Sequence, residues 1–370
     1  MIAVVPTELE TVVDRFDIPG RLCEASRYGS GHINDTYLIS AGGAAYVLQR
    51  INHQVFPDPA AVMDNVRRVC CHLRDKLESR GVSDVRRRAL QLIPTREGQP
   101  YLHDGEDHVW RMYPFIERTR SYDRPTRPRQ AYEVARGFGE FQEMVSDLRQ
   151  PRLYETIRDF HHTIRRLERL VEVIEADPVN RAASAAAEIR FALVREPIAG
   201  RLLREEASGR IPERITHNDT KLNNVLLDED TDEAICVIDL DTVMPGLALY
   251  DFGDLVRSVV NTAAEDEPDT DRVEVDMEMY RALTRGYLSA AHRFLTPIEL
   301  EHLSFSAQLI SYELGIRFLT DYLQGDTYFR IHRADQNLDR CRVQFRLVSL
   351  FEQGQETMEQ AVAEAARGLC

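Results

Sequence analysis

The stretch ITHNDTKLNNVLLDEDTDEAICVIDLD, residues 215–241, narrows the possible folds more than any other part of the chain. Two short apolar runs, VLL at 225–227 and AICVI at 234–238, flank the acidic turn DEDTD and read as paired strands. His217, Asp219, Lys221 and Asn224 stand just ahead of them, and Asp239 closes the second run. Taken singly, each residue fits a polar turn in which aspartates cap and asparagines bond locally. All of them in register, followed by a strand that ends in IDLD, do not. Such a cluster is costly to bury, which places it at the surface of a cleft.

The spacing has a chemical reading. His217, Asp219, Lys221 and Asn224 follow the order H-x-D-x-K-x-x-N of a protein-kinase catalytic loop. In that chemistry an aspartate orients the acceptor hydroxyl and takes its proton, and an asparagine five residues later turns back to the metal that holds the phosphates. Asp239 ends its strand where a carboxylate meets the same Mg²⁺, and Lys221 is placed to stabilise charge on the transferring group. The triplet Asp251-Phe252-Gly253 also spells a kinase metal motif, but within YDFGDLVRS it reads as a helix start with Asp251 as N-cap. The metal role is therefore expected of Asp239, with Asp241 and Asp251 left open as further ligands.

The remaining sequence divides near residue 115. Before it, RLCEASRYG, NDTYLIS, AAYVLQRI, ALQLI and HVWRMY read as short strands. One helix interrupts them, capped by Asp58 with Pro59 at its first position and carrying Val62, Val66, Val69 and Leu73 at helical spacing. Thr7 with Glu10 signals another helix near the N-terminus. After residue 128 the pattern is helical: Tyr132, Phe138, Phe141 and Val145 form one apolar stripe, and Ile157, Phe160, Ile164 and Leu167 another. His161 and His162 fall on the charged part of that second helix. Thr296, Pro297 and Glu299 open a helix that should run to about Tyr322 before Gly325, and the last thirty or so residues read as one more. The acidic run AEDEPDTDR at 264–272 reads as a solvated loop.

These readings give an α+β, bilobal architecture: a nucleotide-binding lobe over 1–115, a hinge over 112–118, and a mostly helical catalytic lobe over 119–370. A net charge of −15 argues against a nucleic-acid surface, whose affinity comes from cations on phosphates. None of the six cysteines forms a CxxC pair, and no apolar run is long enough to span a membrane, so a cytoplasmic protein with reduced thiols is expected. Between the first strands, YGSGHINDTYLI brings Gly29 and Gly31 close together, which suits a backbone lying along phosphates, with Asn34 closing the turn. The third strand, YVLQRIN, lacks the lysine that protein kinases use there and offers Gln49 and Arg50, of which strand alternation lets only one face the nucleotide.

The pattern resembles the aminoglycoside phosphotransferase and choline kinase group of small-molecule kinases, with a protein-kinase-like fold. HNDTKLNN, VIDLDTVMPGLALYDFGDLVRS, NTAAEDE, YELGIRFLTDYLQGDTYF, YVLQRIN and VWRMYPFIE are similar to one branch of it, the N-acetylhexosamine 1-kinases, over roughly residues 28–330. The resemblance implies ATP in the cleft near Gly29, Gly31, Asn34, Gln49, Arg50 and the hinge residues Met112 and Tyr113. It implies Mg²⁺ on Asn224 and Asp239, and a sugar held by Asp219 and by Arg317, Tyr312 and Asp321 of the C-terminal half. Helical spacing alone would equally let Arg317 pair with Glu313 or Asp321. The same group contains kinases of choline, homoserine and aminoglycosides, for which the acidic run would attract a cationic substrate. The missing strand lysine also leaves open a catalytically inactive binding module. Oligomeric state is not legible.

Overall fold

In a computed structural model the described residues are 7–29, 33–105, 108–148 and 150–368. The first lobe is an antiparallel sheet of β1 (Leu22–Arg27), β2 (Asp35–Ala41), β3 (Ala44–Arg50), β4 (Leu102–His103) and β5 (Val109–Pro114), in the order β1-β2-β3-β5-β4. Alternation along the strands sends Ile39, Leu48, Trp110 and Met112 to one face, where α1 (Thr7–Val13) covers them with Leu9, Val12 and Val13. Across the other face runs α2 (Pro59–Ser79), capped by Asp58, whose carboxylate accepts from Ala61 N at 3.1 Å. Its stripe of Val62, Val66, Val69 and Leu73 is buried against Tyr113 and against Phe141, Leu240 and Val243 of the second lobe, so one apolar core joins the lobes.

ALQLI, residues 89–93, does not become a strand. It follows the short α3 (Val85–Arg88), and Ala89 and Leu90 pack into the core between the lobes. The free edge of β5 goes to β4, and among the described residues this segment's backbone bond to β5 is Ile93 N to Met112 O at 2.8 Å.

After β6 (Thr119–Arg120), α4 (Pro128–Val145) opens the helical lobe. The Ile157–Leu167 stripe is helical only from Thr163, in α5 (Thr163–Ala176); residues 157–162 form turns. The small helices α6 (Ala186–Val194), α7 (Glu196–Ala199) and α8 (Arg201–Ala207) lead to β7 (Arg214–Thr216), then to the loop at 217–224 and the hairpin of β8 (Val225–Asp228) and β9 (Ala234–Val237). A short β10 (Met244–Gly246) pairs with β7, and the chain continues through α9 (Ala248–Val259), α10 (Met277–Ala291), α11 (Pro297–Gln324) and α12 (Gln336–Arg367). The capping box of Thr296 and Glu299 starts α11, and Gly325, in the left-handed region at φ 94°, ends it. Among the described residues no helix is long and apolar enough to cross a membrane.

The core of this lobe is built from α4, α9, α10, α11 and α12. Helix α9 is buried nearly all round, and Gly253 lets it lie directly on α11: a Cβ there would stand 2.3 Å from the Ser306 carbonyl oxygen. The glycine of the D-F-G triplet therefore serves helix packing, and the loop at 217–224 is stretched over the start of α9.

Candidate active site

The loop is held by carboxylates beneath it. Asn218 takes a left-handed conformation, φ 64°, which asparagine tolerates better than most residues. The turn directs two successive backbone N–H groups downward, His217 N at 2.8 Å and Asn218 N at 2.7 Å from the Asp251 carboxylate. Gln142 of α4 donates to the same carboxylate at 2.6 Å. Thr220 donates its hydroxyl to the Asp251 carbonyl and its N–H to Asp254, which Arg257 also clasps. Burial opposes ionisation of Asp254, but Arg257 and Lys221 outweigh it and hold its pKa below the ordinary carboxylate value.

This corrects the reading of Asp251 as a helix cap. Helix α9 starts three residues earlier, at Ala248, and Leu247 occupies the cap position without a side-chain bond. Asp251 is 1% exposed and points at the loop, not at its own helix end. His217 is likewise structural: its ring lies between Phe138 and Phe141, Nε2 donates to the Ile238 carbonyl at 2.9 Å, and Nδ1 accepts from Asp219 N. The ring thereby joins the loop to the strand that delivers Asp239.

Above these supports Asp219 faces the cleft. Lys221 Nζ lies 3.1 Å from Asp219 Oδ1, and the negative charge of Asp219 raises the lysine pKa to about 12. Asn224 donates Nδ2 to the Asp219 carbonyl at 2.8 Å and to Oδ2 at 3.1 Å, which leaves its own Oδ1 for another partner. Asp239, left-handed at φ 61°, follows β9 and is open to the cleft. Dense protein on its remaining sides, then the charges of Asp241 and Asp219, push its pKa up to about 6. Among the described residues no donor caps its carboxylate. An uncapped carboxylate, an amide oxygen and crowded negative charge suit a hard divalent cation, which takes oxygen ligands. Asn224 and Asp239 are the residues that would hold it.

On the nucleotide side, the structure separates Gln49 from Arg50. Arg50 turns to the outer face, pairs with Asp35 and lies over the Trp110 ring. Gln49 turns to the cleft, where Oε1 accepts from Arg111 Nε at 3.0 Å and Nε2 donates to Thr36. Arg111 comes from β5, directly opposite Gln49 in the ladder. Its guanidinium is 1% exposed and forms an ion pair with Asp241, which also accepts from Asn34 Nδ2 at 2.7 Å. Asn34 in turn accepts from Asn52 N at 3.0 Å. Asp241 is thus engaged by the first lobe, and sequence reasoning had passed over Arg111. Gly29, φ 81°, lies two residues beyond β1, and Gly31 lies outside the described residues. Met112 is buried beneath the sheet, and Tyr113 lies in the core between the lobes.

A cavity of about 150 Å³ opens beside Lys221, lined among others by Asn223, Arg257, Ser258, Asn261, Glu265 and Gln344. Gln344 is 1% exposed, and among the described residues its Oε1 has no hydrogen-bond partner. Arg317 sits between the rings of Phe160 and Phe329, at 5.2 and 5.5 Å from their centres. Neither carboxylate that spacing offered it is available: Glu313 binds His161 and Thr163, and Asp321 accepts the N–H groups of 327–329 and the Asn337 amide. The Tyr312 hydroxyl is buried and donates to the Ala192 carbonyl. Tyr312 and Asp321 are thus engaged within the protein, whereas among the described residues the Arg317 guanidinium has no hydrogen-bond partner. His161 does not lie on a charged helix face. It precedes α5, pairs with Glu313 at 2.8 Å, stacks near Tyr250 and approaches the Asn218 carbonyl at 3.4 Å.

A β-sheet lobe and a helical lobe, with this loop between them, define a protein-kinase-like fold. The model of the phosphotransferase enzyme family matches residues 24–298, and the chain belongs to that family. Similar solved structures include an aminoglycoside phosphotransferase from Alicyclobacillus acidocaldarius, at 14% identity and TM-score 0.59 over 100% of this chain and 98% of that one. A choline kinase from Cryptosporidium parvum matches at 14% and 0.57 over 98% and 99%. A spectinomycin phosphotransferase, solved with ADP and its antibiotic, matches at 12% and 0.54 over 95% and 99%.

Proposed function

We propose that the protein transfers the γ-phosphoryl group of ATP to the anomeric hydroxyl of N-acetylglucosamine or N-acetylgalactosamine. Asp219 orients that hydroxyl and takes its proton, and Lys221 stabilises charge on the group in transit. Mg²⁺, held by Asn224 and Asp239, would neutralise the phosphates. Phosphoryl transfer depends mainly on positioning and electrostatics, which this loop and its carboxylate supports supply.

The observation that favours a sugar is the lining of the acceptor cavity. About 150 Å³ suits a single small ring better than a multi-ring aminoglycoside. Its amides and hydroxyl, Asn223, Asn261, Gln344 and Ser258, stand among charges of both signs, Asp123, Glu265, Arg124, Lys221 and Arg257, a mixed lining that can hydrogen-bond a polyhydroxylated ligand. Three of the five carboxylates in the acidic run that would draw in a cation are already paired: Glu265 with Arg340, Asp266 with Arg333, and Glu267 with Arg272. Arg317 is not among the residues that line this cavity and is assigned to the acetamido carbonyl on the family resemblance alone.

A coupled assay of ADP release across GlcNAc, GalNAc, choline, homoserine and kanamycin tests this reading, followed by phosphorus and proton NMR of the product. Coupling of phosphorus to the anomeric proton is required. Turnover with choline or kanamycin and none with either N-acetylhexosamine would overturn the assignment, and no turnover with any acceptor would favour a binding module.

A further inference from the structure

We propose that Arg111 of β5 supplies, from the neighbouring strand, the buried positive charge that the third strand lacks. In this role it holds the nucleotide phosphates and the Asp239–Asp241 turn in one arrangement. The inference rests on the reading of the cleft as an adenine-nucleotide site, and it adds a residue that the catalytic-loop motif does not contain.

Three observations carry it. The first is position: Gln49 and Arg111 are ladder partners, and the Arg111 guanidinium reaches across to bond the Gln49 side chain. The charge therefore stands beside the place a third-strand lysine would occupy, displaced by one strand. The second is elimination among the site's cations, since Arg50 is turned to the outer face with Asp35, and Lys221 is paired with Asp219 across the cleft. The third is connectivity. Asp241 receives Arg111 from the sheet and Asn34 from the turn entering β2, and it lies two residues from Asp239. One buried carboxylate so ties the nucleotide loop and the sheet to the segment that carries the proposed metal ligand.

The chemistry explains why an arginine does this from the side. A guanidinium has five donors in a fixed fork. Arg111 uses Nε on Gln49 and Nη1 on Asp241, and among the described residues Nη2 has no partner. A lysine on the third strand would deliver one point charge and could not hold Asp241 at the same time. Asp241 matters because an unpaired guanidinium at 1% exposure would be costly, as would an unpaired Asp241. The two charges offset each other in the absence of nucleotide, and a phosphate arriving at Nη2 meets a cation already in place.

The test is calorimetric titration of adenosine, ADP and ATP in EDTA, which removes Mg²⁺ from the readout. In Arg111→Gln the affinity for ADP and ATP should fall about ten- to a hundredfold, the range of one charge-assisted hydrogen bond, while adenosine binding changes little. Arg111→Lys should recover part of the loss. Gln49→Lys with Arg111→Met, which returns the charge to the third strand, should recover more than Arg111→Met alone. If Arg111→Gln does not fold, the same titrations on Arg111→Gln with Asp241→Asn, which removes both charges, give the comparison. Equal losses for adenosine and ADP would reduce Arg111 to a structural ion pair, and unchanged ADP and ATP affinity would also overturn the proposal. A wild-type protein that binds no adenine nucleotide would fail the underlying kinase reading first, a result distinct from either.

Discussion

Replacing Asp251 by alanine tests whether the loop at 217–224 is held from below. The carboxylate accepts from His217 N, Asn218 N and Gln142 Nε2, at 2.8, 2.7 and 2.6 Å, where only 1% of the residue is exposed. Alanine leaves two backbone donors and an amide without an acceptor. A buried unsatisfied donor costs ~1–3 kcal/mol, so the two backbone groups alone predict a loss of about 2–6 kcal/mol. Relief from burying the carboxylate, whose pKa is raised chiefly by burial, moves the result toward the lower end. Activity should fall as well, because His217 and Asn218 directly precede Asp219. A shift of about 1 Å at such a position costs roughly a hundredfold in rate. The assay pairs urea unfolding with turnover measured well below the melting temperature, and Asp251→Asn, which keeps one acceptor oxygen, should fall between alanine and wild type in both. Lower stability with full turnover would refute the link between Asp251 and the catalytic loop. Normal stability with lost Mg²⁺-dependent nucleotide binding would instead place Asp251 in the metal site.

Asp219→Asn should lower turnover by about two to four orders of magnitude while calorimetry shows nucleotide binding retained, since an amide cannot take the acceptor's proton. Asp239 has a folded pKa raised to about 6, above the ordinary carboxylate value, so its ionisation destabilises the metal-free fold progressively as pH rises from about 4 and fully above about 6. The displacement is worth at most ~3 kcal/mol, and the open side of the carboxylate screens it to on the order of 1 kcal/mol. Asp239→Asn should therefore melt higher than wild type in EDTA at pH 8, with the difference closing by pH 4; a lower melting temperature at pH 8 would contradict the crowded-charge account. Gly253→Ala should destabilise by about 1–3 kcal/mol in thermal melts, because its Cβ would lie 2.3 Å from the Ser306 carbonyl oxygen; an unchanged melt would show that α9 and α11 can separate freely.

What the sequence made legible was local. The loop, the hairpin and Asp239 fall within residues 215–241, and the caps at Asp58 and Thr296 and the stop at Gly325 act within a turn of their own helices. The misread residues are those whose partners are distant. Arg111 meets Asp241 across 130 positions, and His161 meets Glu313 across 152. Asp251 fits a helix cap on any window around it, yet its acceptors serve residues 33 and 34 positions earlier. ALQLI has the composition of a strand, but strand propensity needs a free edge and β4 holds the edge of β5. A usable signal was present for two of these. Arg111 is the only charged residue in VWRMYP, a strand otherwise apolar throughout, and Asp251 lies in LALYDFGDL, where Leu247, Ala248 and Leu255 stand one turn away from it. A charge that the local pattern forces inward cannot be left unpaired. Each such residue therefore implies a remote partner, and in this chain both partners belong to the segments that carry Asp219 and Asp239.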